Sequence, residues 1–90
     1  MEVINVREHK DVYGGIQWIL KLKDGRGVHV VWPESHLIAR LSVTPFVELW
    51  SAEFSKSDNQ VLAMYLPDEP EKTWASARKH LERKFSFSDD

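Results

Sequence analysis

Two alternating apolar runs, Ile16-Gln-Trp-Ile-Leu-Lys-Leu-Lys23 and Val28-His-Val-Val-Trp32, flank Asp24-Gly-Arg-Gly27. Branched and aromatic residues at period two on both sides of a glycine-rich spacer predict a β-hairpin. Asp24 suits the first position of a type I turn and Gly27 the left-handed residue behind it, giving a three-residue loop with a G1 bulge. That register sets Asp24 against Val28, Leu22 against Val30 and Leu20 against Trp32 on one face. On the other face Lys21 meets Val31 and Lys23 meets His29. One face is apolar and the other mixed.

Working outward, the same arithmetic predicts a second hairpin from Val47–Lys56 and Gln60–Leu66 around Ser57-Asp58-Asn59, with Phe54 on Leu62, Ala52 on Met64 and Trp50 on Leu66. A rival helix could start at Thr44-Pro45, because Val47, Trp50 and Phe54 also fit helical spacing, but it leaves the matched partner run unexplained. Residues 36–43 alternate only partly and fit either a short strand or a helical turn. At the C-terminal side, Asp68-Glu-Pro-Glu71 has capping-box spacing and predicts a helix over Lys72–Phe85. Its stripe of Trp74, Ala77, Leu81 and Phe85 can cover a sheet face. With a first strand at Val3–Glu8, the expected fold is α+β: an antiparallel meander of four to five strands with one C-terminal helix packed on one face. Residues 1–85 form a single domain in this reading, and 86–90 a flexible C-terminal tail.

Ninety residues support one core of modest size. Hydrophobic residues at 42% and ten aromatics exceed what a disordered chain carries, so the chain should fold. Twelve Lys and Arg against fourteen Asp and Glu give a formal charge of −2, so no global positive field draws it to polyanions or anionic membranes. With no cysteine, disulfides, thiolate zinc sites and cysteine nucleophiles are excluded. Neither a signal-peptide run nor 18 consecutive apolar residues occurs, which makes a cytoplasmic protein without a membrane span the expectation.

A helix covers only one sheet face, so the other face decides what else the protein touches. There the predicted registers place Ile19, Val31, Val47, Leu49, Val61, Ala63 and Tyr65 among Gln17, Lys21, Lys23, His29, Ser51 and Glu53. Such a face is too apolar for plain solvent. It predicts a partner-binding or homodimer surface built on Ile19, Val31, Leu49, Val61 and Tyr65, with Tyr65 as the aromatic anchor. The competing reading folds residues 36–43 or the first strand over it.

An alternative of another class is single-stranded nucleic-acid binding through Lys21, Lys23, Arg26 and His29, with Trp18, Trp32 and Tyr65 as stacking rings. The two tryptophans fall on the core face, however, and the acidic balance opposes it. A second set of basic side chains, Lys72, Arg78, Lys79, His80, Arg83 and Lys84, reads as the solvated face of the helix. The four histidines, at 9, 29, 36 and 80, lack metal-ligand spacing, and His29 reads as a surface residue. Glu48, on the core face in this register, would need a cation or a place at the sheet edge. Gly14-Gly15, Gly25 and Gly27 have neither Walker nor dinucleotide spacing, and no Gly-x-Ser-x-Gly elbow exists. No catalytic residue, metal or cofactor is therefore expected. The sequence reads as a small non-enzymatic protein-binding module, a regulatory, inhibitory or accessory subunit, with a small enzyme subunit as the remotest alternative.

Overall fold

The computed structural model describes residues 1–10, 16–45 and 60–88. Among them are β1 (Glu2–Lys10), β2 (Ile16–Leu22), β3 (Arg26–Val31), β4 (Leu37–Pro45), β5 (Gln60–Tyr65), α1 (Trp74–Leu81) and β6 (Ser86–Phe87). The first five strands are successive antiparallel neighbours, and β6 lies parallel to β1, giving the order β5-β4-β3-β2-β1-β6. The described residues are mostly sheet with one short helix, broadly the expected α+β arrangement. Residues 36–43, which sequence left open, fall largely within β4, and Thr44-Pro45 end that strand. The predicted strand Val47–Lys56, its rival helix, Leu49 and Glu48 lie outside the described residues.

The sixth strand is a correction. Residues 86–90 read as a tail, yet the Ser86 N–H donates to the Met1 carbonyl and the Ser88 N–H to the Val3 carbonyl, both at 2.9 Å. Phe85 is buried in the core and Phe87 packs against it, so two aromatic side chains hold this stretch to the sheet.

The predicted loop chemistry is present two residues early. The Gly25 N–H donates to the Leu22 carbonyl at 2.9 Å, and Gly25 takes the left-handed conformation, φ 93°. Asp24 Oδ1 accepts from the Arg26 N–H at 3.0 Å, a local bond that selects Gly25 over Gly27 for the turn. Arg26 thereby holds the Asp24 carboxyl below its usual range, first through that backbone bond. The pairs become Leu20–Val28, Trp18–Val30, Ile19–His29 and Gln17–Val31. A shift by an even number moves every pair but changes no side chain's face.

Trp18, Leu20, Leu22, Val28, Val30, Trp32, Leu37 and Ala39 from that face form one cluster with Ala77 and Leu81 of α1 and with Phe85. Burying each large aliphatic side chain contributes about 1.5–3 kcal/mol. The predicted stripe of Trp74, Ala77, Leu81 and Phe85 is thus on the core side. The Trp74 ring lies 5.7 Å from Trp18 and 5.7 Å from Phe87. Trp18 Nε1–H also donates to Glu8 Oε1 at 3.1 Å.

The helix is shorter than predicted. Its N-cap is Thr73, whose Oγ1 accepts from the Ser76 N–H at 3.3 Å, and not Asp68. Glu69 is engaged elsewhere: His80 Nε2–H donates to its carboxylate oxygens at 3.0 and 3.1 Å. That bond ties the segment after β5 to the last turn of α1 and is the first cause of the lowered Glu69 pKa. His80 accordingly belongs to this clasp and not to a solvated helix face. Its side chain is 11% exposed.

Candidate functional site

Alternation along β4 and β5 decides what the sheet offers to solvent. Leu37 pairs with Tyr65, Ile38 with Met64 and Ala39 with Ala63, but Arg40 then pairs with Val61, leaving Leu62 as an extra residue. Such a bulge displaces the side-chain alternation by one position. It corrects the expected faces: Ala63 and Tyr65 pack against the core cluster, while Met64, expected in the core, is 53% exposed. Tyr65 is consequently not an outward anchor. Its ring lies 6.0 Å from the His80 ring, and the Arg83 guanidinium sits 5.4 Å from its centroid.

The face opposite α1 differs from expectation in a second way. Ile19 has no solvent exposure and His29 only 8%, so atoms of the chain itself already enclose the centre of this face. Ile19 cannot then belong to an open partner surface. His29, read as a surface residue, has Nε2–H donating to Gln17 Oε1 at 2.8 Å. Burial, then the positive charge of Arg40, then His9 push its pKa down to about 4. Arg40 is its cross-strand partner, and Arg40 Nε is itself buried with no hydrogen-bond partner among the described residues. Val31 is half-buried beside this centre.

The cations proposed for nucleic acid are not brought together. Lys21 is half-buried in the face opposite α1, whereas Lys23 and Arg26 stand in the hairpin loop. Lys23 Nζ lies 3.9 Å from Glu2 Oε1, and Arg26 Nε lies 2.7 Å from Asp24 Oδ2. His29 is neutral near pH 7, while Trp18 and Trp32 are buried and present no ring for stacking.

What the fold does expose is apolar surface along β5. Val61 is 47% exposed, Met64 53% and Leu66, just beyond the strand, 68%. β5 is an end strand of the sheet formed by the described residues. Beside it Met64, Ile38, Pro33, Glu34 and His36 line a shallow groove of about 320 Å³. Lys72 Nζ donates to the Pro33 carbonyl at 3.0 Å, tying the segment before α1 to one groove-lining residue. Of the predicted partner residues that are described, Val61 alone lies open on this edge; Met64 and Leu66 were missed because unbroken alternation assigns them to the core.

The Glu69–His80 pair has the composition of an oriented base, but His80 Nδ1 is buried with no hydrogen-bond partner among the described residues. Among the described residues no group of three His, Asp or Glu side chains could hold a metal ion. Nor is any described helix long and apolar enough to cross a membrane. Compared with known proteins, the chain matches no family model, no curated protein and no solved structure.

Proposed function

We propose that this chain is a small, cytoplasmic, non-enzymatic protein-binding module, a regulatory, inhibitory or accessory subunit, that docks through the β5 edge. The observation that carries this reading is the coincidence, among the described residues, of an end strand with three exposed apolar side chains, Val61, Met64 and Leu66. An end strand offers a row of backbone donors and acceptors, and adjacent apolar side chains supply the area that makes strand addition favourable. The groove against Ile38 and Met64 adds a place for one incoming side chain.

The test uses matched baits, wild type and the double variant Val61→Lys/Met64→Lys, each checked for an unchanged melting curve and exposed to the same native lysate. Proteins retained by the wild type and lost by the variant are the expected result. Identical retention by both baits overturns the reading.

A further inference from the structure

We propose that Asp24–Gly25, at the tip of the β2–β3 hairpin, is a site of spontaneous backbone modification, succinimide closure followed by reopening to isoaspartate, and that Arg26 suppresses it. The pair is the only aspartate or asparagine in the sequence with glycine behind it. Glycine has no Cβ to shield its nitrogen, and at Gly25 even an added Cβ would meet nothing within 4 Å. The Asp24 side chain is 53% exposed, so water reaches the site.

Closure joins the Gly25 nitrogen to Asp24 Cγ. The amide proton passes to solvent and one carboxyl oxygen departs as water, which requires the carboxyl to be protonated first. Reopening takes one water back. At Cγ it restores aspartate; at the Asp24 main-chain carbonyl it leaves isoaspartate, with one more carbon atom in the chain. No oxidant or second substrate enters, and the mass does not change.

Three contacts oppose closure in the folded hairpin. Asp24 Oδ1 accepts from the Arg26 N–H at 3.0 Å and Oδ2 from Arg26 Nε–H at 2.7 Å, so both oxygens are tied to the residue beyond the nucleophile. Those bonds favour the ionised carboxylate, which has no hydroxyl to lose. The third contact takes the nucleophile itself, whose N–H donates to the Leu22 carbonyl at 2.9 Å. Unfolding breaks all three. Isoaspartate would in turn lengthen the loop that closes on Leu22, a core residue, and withdraw the side-chain carboxylate from Arg26.

Incubating the whole chain in heavy-oxygen water at neutral pH tests this, because every reopening leaves one heavy oxygen on residue 24 whichever carbonyl is attacked. Mass spectrometry of the peptide containing that residue reads the label, and enzymatic methylation of isoaspartyl carboxylates reads the product. The wild type should label faster in urea than folded. Folded Arg26→Ala, which loses the Nε bond, should label about tenfold faster than the folded wild type, the factor that one hydrogen bond to a charged group represents. Isoaspartate should accumulate in the same order. Asp24→Glu, whose closure needs a six-membered ring, should not label at position 24. Should Arg26→Ala fail to melt cooperatively, Arg26→Lys, which keeps the cation and the backbone donor but not the planar fork, takes its place and should still label faster than the wild type. A folded wild type that labels as fast as in urea, an arginine variant that labels no faster than the wild type, label confined to other aspartates, or label without isoaspartate overturns the proposal.

Discussion

Leu20 and Ile19 are neighbours in β2, both without solvent exposure, and they are buried in unlike company. Leu20 sits in the cluster that joins the sheet to α1, with Val28 and Val6 as its cross-strand partners. Ile19 faces the other way, with Arg7 and His29 as its partners and Gln17 and Lys21 two residues away along the strand. Alternation identifies which residues share a face but not whether that face is dry. A face that carries basic and amide side chains can still bury an aliphatic centre, as Ile19 shows.

The hardest break of this comparison is a charge on the first face. Leu20→Asp should abolish the cooperative unfolding transition, because it puts an unpaired carboxylate into a cluster with no polar partner. On the second face, Ile19→Ala should cost about 2–5 kcal/mol in urea denaturation, as deletion from a filled core does. A cost within about 0.5 kcal/mol, the usual surface value, would show that Ile19 does not behave as a core residue.

Acid separates the faces further. Unfolded, His29 takes a proton near 6.5, but folded it resists until about 4. Stability is therefore complete above pH 6.5 and declines as pH falls toward 4, by roughly 3 kcal/mol from this group. His29→Gln should flatten that slope; an unchanged slope would place the acid sensitivity elsewhere. The smallest effect is expected at the outer margin of the same face, where Val61→Lys should shift stability by no more than about 0.5 kcal/mol. A larger loss would mean that Val61 contributes to the fold and not only to a contact.

Much of the fold was legible because its signals survive small errors. The β2–β3 hairpin tolerated a two-residue misplacement of its loop, since Leu20, Leu22, Val28 and Val30 keep their face under any even shift. The helical stripe was legible for the same reason, although Thr73 took the cap that Asp68 seemed to offer by spacing. Single-residue events were not legible. The bulge at Leu62 reverses Ala63, Met64 and Tyr65, and no residue type at that position announces it. It turned Tyr65 inward and Met64 outward, so the candidate edge came from structure where sequence had placed a core. The burial of His29 was hidden likewise, because its amide partner Gln17 lies in the neighbouring strand, twelve positions away.

The contact between Trp18 and Trp74, ring centroids 5.7 Å apart and tilted by 43°, bridges the sheet and α1. Two indoles at that separation share their excited states, so the pair should imprint a couplet on the circular dichroism of the native chain. Its amplitude reads the docking of one element on another independently of whether either keeps its hydrogen bonds. Loss of the couplet ahead of the far-ultraviolet helix signal would mark a species in which α1 has lifted away while still coiled.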